Sequence, residues 1–344
     1  MMDFSFLNRF ICALPMALAV AGTSLMLPAA YARPATPEVS AAVVSQDVYP
    51  QHRVIFPGGV TGLPDIIYTC QLGFRPLTLD LYLPPNTFKD KGPRPFVVYV
   101  HGGGCLGGSS RTTGAFANWP EALASIAAKG YVVASISYRL SKEAPFPAAI
   151  YDVKDAVRWI RSKAETFNID KSRGLIWGSS AGGHLAALAA ASCDVKTLDR
   201  PVETNQAQPA AGESACLQGA VIWYGVSDFA PLSSMPEAEQ FLDCRGYGCT
   251  EVRRAASPVT YVNAEVPPFL IIHGTEDQTV PVRQAKELYD VIKAQKGNAE
   301  LLLIPGINHS FFGKTPKATH DASLQAWERT VAFIDQTIGD NKQR

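Results

Sequence analysis

Short blocks of β-branched and aromatic residues alternate along the chain with longer stretches of helical period, the pattern of a mostly parallel sheet covered by helices on both faces. Residues 77–83 alternate apolar and polar as a half-buried strand and stop at Pro84-Pro85. Residues 96–100 are a continuous apolar run ending in a glycine loop, as a central strand would. Helical spacing over 119–129 closes at Gly130, and 131–137 reads as the next buried strand, so the two make a crossover unit. Residues 148–167 follow as a long amphipathic helix with Ile150, Val153, Val157, Trp159 and Ile160 on its apolar face. Beyond it, 174–177, 220–224, 269–273 and 300–304 are predicted strands, and 180–191, 281–293 and 322–338 predicted helices. Segments 194–218 and 230–258 hold three cysteines, with Cys193 just before the first, and many turn formers, and read as surface insertions of the kind that cover a pocket.

The N-terminus sits outside this alternation. Arg9 follows a short polar start, an apolar run covers 10–27, and Ala30-Tyr31-Ala32 offers small residues for a cut before Arg33, so residues 1–32 read as a signal peptide. The run approaches the length of a membrane anchor, but Pro15, Gly22, Pro28 and the small-residue site favour cleavage and no stable membrane insertion afterwards. A periplasmic or extracellular protein is expected. Residues 33–51, rich in Pro, Ala, Ser and Val, are expected to form an arm or tether, leaving 52–344 as one folded domain. Apolar residues at 47% and charged residues at 18% suit a large core and exclude a disordered chain. Lys plus Arg balances Asp plus Glu at 31 each, so no basic field gathers nucleic acid, and a neutral ligand is expected.

Export changes the reading of the cysteines. Cys12 leaves with the signal peptide, and Cys70, Cys105, Cys193, Cys216, Cys244 and Cys249 suggest up to three disulfides. Cys193 with Cys216 and Cys244 with Cys249 are the expected pairs, because each brackets a loop-like segment. Structural zinc is disfavoured: the cysteines lack two close pairs and no histidine sits at finger spacing.

Candidate chemistry is concentrated at predicted strand ends. Gly178-Ser179-Ser180-Ala181-Gly182 follows a strand and opens a helix, the context in which a G-x-S-x-G turn exposes its central serine as a nucleophile. His101-Gly102-Gly103-Gly104 ends the 96–100 strand, where glycine lets backbone amides approach a bound carbonyl. The amides of Gly103, Gly104 and Ala181 are the candidate oxyanion donors, and His101 reads as a structural residue. A serine nucleophile needs an imidazole base oriented by a carboxylate, in the chain order Ser, Asp or Glu, His. Asp277 and His309 fit that order, each in a loop just past a predicted strand, where a parallel sheet gathers its chemistry. Glu276 and Asp228 are competing acids. His52, His101, His184, His273 and His320 are competing bases, each with a satisfied structural histidine as its default reading.

Together HGGG (101–104), GSSAGGHLAAL (178–188), HGTEDQTVP (273–281) and PGINHSFF (305–312) resemble the HGGG-type esterase and lipase branch of the α/β-hydrolases, over residues 75–338. The similarity is nearest to bacterial acetyl-esterase and feruloyl-esterase-like carboxylesterases. The resemblance implies an α/β fold with an eight-stranded, mainly parallel sheet, and acyl-enzyme hydrolysis of a small-molecule or polysaccharide-linked ester without metal or other cofactor. Cys105 departs from it, since many relatives carry a bulky aromatic after HGGG. Two rival readings share the fold: a peptidase or amidase related to prolyl oligopeptidases, and an inactive binding protein. No propeller-length domain is expected before residue 52, which disfavours the first, and the full Ser, Asp and His set argues against the second.

Overall fold

The computed structural model describes residues 53–340, apart from 72, 202–209, 211, 233–234 and 246. The expected signal peptide, the 33–51 arm and His52 lie outside the described residues. One sheet contains β1 (Val54–Phe56), β2 (Val60–Thr69), β3 (Leu77–Leu83), β4 (Arg94–Val100), β5 (Val132–Ile136), β6 (Ile169–Ser179), β7 (Gly219–Trp223), β8 (Phe269–Gly274) and β9 (Ala299–Ile304). Their spatial order is β1-β2-β3-β5-β4-β6-β7-β8-β9, antiparallel from β1 through the β3–β5 pair and parallel from β5 to β9. The sheet has nine strands where eight were expected. Chain order reverses beside β4, whose neighbours are β5 and β6, and such a switch point opens a crevice at the carboxyl ends of the strands.

The helices are α1 (Trp119–Ala127), α2 (Ala148–Ser162), α3 (Ala164–Phe167), α4 (Ala181–Ala191), α5 (Pro236–Leu242), α6 (Thr250–Ala256), α7 (Arg283–Ala294) and α8 (Pro316–Ile338). Because strand side chains alternate, each central strand feeds two cores. Val98, Val100, Ile176, Ile222 and Ile271 pack with residues of α2, α4 and α7, while Val97, Tyr99, Leu175, Trp177, Val221 and Trp223 pack with residues of α1 and α8. The two apolar clusters explain why these short strands read as continuous apolar runs: both faces are covered.

Differences from expectation have local causes. β1 and β2 gave no clear strand pattern because Gly62, Pro64 and Asp65 interrupt β2, and its pairing with β3 shifts register between Leu63 and Ile66. The 148–167 helix breaks at Lys163 into α2 and α3. Helix α8 starts at Pro316 rather than 322: Thr315 caps it, accepting the Ala318 amide at 3.1 Å, and its first turn is too exposed to carry apolar periodicity. The 230–258 insertion is not irregular throughout, since α5 and α6 lie within it. Cys193–Cys216 and Cys244–Cys249 are bonded as expected, whereas Cys105 is a buried free thiol, so the six do not all pair.

Buried ions hold the first insertion down. Asp152 on α2 receives Arg139 at 2.8 Å and Arg200 at 2.6 Å, and Arg200 also reaches Asp155 at 2.6 Å. Lys154, fully buried, donates to the Ser192 carbonyl at 2.7 Å and Asp199 at 3.2 Å. Charges taken this far from water need such pairing to be tolerated at all.

Candidate active site

Ser180 sits between β6 and α4 with φ 53° and ψ −121°, a conformation a non-glycine residue adopts only under constraint. The constraint is close backbone packing: a Cβ on Gly178 would lie 2.1 Å from the Gly182 carbonyl oxygen, and one on Gly182 2.0 Å from that of Val100. Ser180 itself donates its amide to the Trp223 carbonyl at 2.9 Å and accepts from the His184 amide at 2.9 Å. The sharp turn therefore leans on both neighbouring strands, β4 and β7.

The hydroxyl faces His309. Nε2 of His309 lies 2.9 Å from Ser180 Oγ, and its Nδ1 lies 2.7 Å from Asp277 Oδ2. Asp277 has a fully buried side chain whose Oδ1 accepts the amides of Thr279 at 2.9 Å and Val280 at 2.8 Å. Burial pushes its pKa up, but hydrogen bonds from His273 and His309, the charge of His309 and the Val280 amide outweigh it and hold the carboxyl well below the usual range. With the carboxylate at Nδ1, the imidazole is oriented to accept at Nε2.

Asp277 and His309 meet because their loops are stitched together. Glu276 donates its amide to the Ile307 carbonyl at 2.9 Å, and Asn308 Oδ1 accepts the amides of Gln278 at 3.0 Å and His309 at 2.7 Å. Of the competing acids, Glu276 is paired with Lys314 at 3.6 Å, and Asp228 Oδ1 accepts from the Ala230 amide and the Ser257 hydroxyl.

The other histidines divide. His101 is buried, pairs its Nδ1 with the Gly102 carbonyl at 2.7 Å and stacks on Tyr138, and burial pushes its pKa down to about 4. His184 is likewise pushed down to about 4 by burial; its Nε2 meets the Ala256 carbonyl at 2.8 Å, and its ring meets Phe229 and Phe241 edge-on. His320 is exposed beside Asp321. His273 departs from its default reading. Its Nε2 meets the Val280 carbonyl at 2.8 Å and lies 3.2 Å from Asp277 Oδ2, while its Nδ1 is buried with no partner among the described residues.

Gly103 and Gly104 have φ of 113° and 62°, and Gly103 closes a turn in which its carbonyl accepts from Leu106 and Gly107. They line, with Ser180, Ala181 and His309, a cavity of about 560 Å³. As the first residue of α4, Ala181 has no intrahelical acceptor for its amide. The cavity's far wall is apolar, from Val226, Phe229, Met235, Ala238 and Phe241, most of it supplied by the 230–258 insertion.

Sequence reasoning missed a polar layer beneath the serine. Ser179 Oγ lies 2.9 Å from the Tyr99 hydroxyl and 3.1 Å from Thr113 Oγ1, and Tyr224 packs edge-on against His309 at 4.8 Å. Burial, the largest influence, pushes the Tyr224 phenol up to about 12. Ser179 was visible as the second residue of the turn, but nothing in its spacing to Tyr99 or Thr113 signals contact.

A family model described as BD-FAE matches residues 79–292, more than half of the chain. The chain belongs to the BD-FAE family. Esterase LipC of Mycobacterium tuberculosis is 32% identical over 228 residues, covering 64% of this chain and 53% of its own. Esterase LipQ of the same organism is 34% identical over 192 residues, covering 53% and 43%. The chain thus spans about half the length of the curated relatives it matches. Among solved structures, a truncated carbohydrate esterase from gut microbiota superposes with a TM-score of 0.67 at 27% identity, covering 81% of this chain and 96% of that one. The α/β-hydrolase fold and esterase branch read from the motifs agree with these relatives.

Proposed function

We propose that this member of the BD-FAE family is an exported serine carboxylic-ester hydrolase. The observation that carries the reading is the hydrogen-bonded chain Ser180–His309–Asp277, with spacings of 2.9 and 2.7 Å, opening onto one apolar cavity. His309 takes the proton from Ser180 as Oγ attacks the ester carbonyl, and Asp277 stabilises the imidazolium that forms. The amides of Gly103, Gly104 and Ala181 hold the oxyanion; one such donor typically contributes ~2.7–4 kcal/mol. His309 then protonates the leaving alcohol, and water, activated by the same imidazole, releases the acid and restores Ser180.

The cavity of about 560 Å³ has room for an acetyl or a hydroxycinnamoyl ester of an alcohol or a polysaccharide, and its aromatic wall suits the ring of the larger acyl group. Export is supported by the signal-like N-terminus and by the disulfides Cys193–Cys216 and Cys244–Cys249, which persist in oxidising compartments. The test is labelling with a fluorophosphonate probe followed by a panel of esters and peptides. Wild type should be labelled at Ser180 and cleave short p-nitrophenyl esters, and Ser180→Ala should lose both. Peptide turnover without ester turnover, or an unlabelled Ser180, would overturn the proposal.

A further inference from the structure

Resting on the esterase reading, a further feature concerns which esters the site accepts. Among the described residues that line the cavity there is no lysine or arginine, and Glu237 is the one carboxylate. It comes from the first turn of α5, in the insertion, and reaches over the glycine loop: a Cβ on Gly104 would lie 3.6 Å from Glu237 Cγ. Its neighbour Glu239 has Arg245 at 3.8 Å, whereas Glu237 has no ion pair or hydrogen bond among the described residues. Behind the serine, the buried carboxylate of Asp277 adds a charge of the same sign.

This arrangement opposes the chemistry of a neutral ester. Negative charge develops on the carbonyl oxygen at the Gly103–Gly104 loop, and a carboxylate beside that loop repels it. A substrate that carries its own positive charge near the ester cancels the repulsion. One that carries a negative charge compounds it. We propose that Glu237 makes the pocket charge-selective, favouring esters with a cationic group close to the scissile bond and rejecting those with an anionic one.

Two matched pairs test this, one on each side of the ester. The first is acetylthiocholine against its carbon isostere, in which a tert-butyl group replaces the trimethylammonium head. The second is mono-p-nitrophenyl glutarate against p-nitrophenyl pentanoate. In wild type, kcat/KM should favour the cationic member of the first pair or disfavour the anionic member of the second. Glu237→Gln should narrow at least one of those ratios by about two- to fivefold, as expected of a partly exposed charge, and raise kcat/KM on the neutral partners. Raising salt to about 0.5 M should compress the wild-type ratio, a readout independent of how the variant folds. Ratios unchanged both in Glu237→Gln and in salt overturn the proposal. Turnover of every ester without charge discrimination leaves the esterase reading standing, and absence of any ester turnover refutes that reading instead.

Discussion

Replacing Asp277 with asparagine should disable His309 without disturbing its position. In the protein Oδ1 accepts two backbone amides, from Thr279 and Val280 at 2.9 and 2.8 Å. An asparagine has a single acceptor oxygen, and turning its NH₂ toward those two donors would set like against like. The oxygen therefore stays, and the NH₂ faces Nδ1 of His309, 2.7 Å from the present Oδ2. His309 must then accept at Nδ1 and carry its proton on Nε2, directed at Ser180. An Nε2 already protonated cannot take the serine's proton. A tautomer error of this kind costs about 10⁴ in kcat, or ~5.4 kcal/mol of barrier. Initial rates on a short p-nitrophenyl ester at neutral pH measure it, with circular dichroism to establish that the variant is folded. Glu276→Gln, which changes an exposed neighbour paired with Lys314, serves as the control and should leave the rate unchanged. A folded Asp277→Asn enzyme within about tenfold of wild type would refute the tautomer argument.

Three further outcomes follow from the geometry. Since the folded-state pKa of Asp277 is depressed, its stabilising contribution is present above the ordinary aspartate range near ~4 and lost as pH falls through the lower folded value; His273→Leu removes a donor that depresses it, so acid unfolding should begin at higher pH, while His273→Gln, whose amide can reach the Nε2 position, should restore the wild-type midpoint. Gly103→Ala would force a Cβ to 2.3 Å from the Gly107 carbonyl oxygen at φ 113°, and kcat should fall about 10²-fold or more; wild-type kcat in this variant would count against the oxyanion assignment. Removing Cys193–Cys216, with a separation of 23 residues, should cost ~3.4 kcal/mol in urea unfolding, against ~2 kcal/mol for Cys244–Cys249 with a separation of 5; the reverse order would refute the loop-entropy account.

Central strands and the three side chains of the proposed triad were legible because both depend on local chemistry. A strand buried on both faces must be apolar throughout, and a nucleophile turn needs small residues two positions either side of its serine. What stayed hidden depends on contacts between distant residues. Nothing near Asn308 in sequence says that its side chain ties the Asp277 loop to the His309 loop, and nothing near His273 says that its Nδ1 is left unpartnered among the described residues. β2 was hidden for the opposite reason: its local signals, Gly62, Pro64 and Asp65, argue against a strand that pairing with β3 nonetheless enforces. The role of Glu237 was equally unreadable, because a charge in an insertion looks like solvated surface until α5 is placed over Gly104.

The bond between His184 and the Ala256 carbonyl, with Phe229 and Phe241 set edge-on to the same ring, makes one imidazole a junction between two parts of the molecule. On one side is the helix that presents the serine, and on the other is the segment that forms most of the pocket wall. That segment is also held by the Phe146 amide on the Phe241 carbonyl, by Arg283 on the Pro231 carbonyl and by Ala238, Leu242 and Ala256 in the core, so a replacement wall must keep these anchors as well as an acceptor and aromatic edges for His184. Grafting segments of different length between residues 230 and 256 that keep these anchors is thus a route to new ligand preferences above an unchanged Ser180–His309–Asp277 chain. Such a division between a wall and the site beneath it lets a single scaffold serve substrates with little in common beyond the bond that is cut.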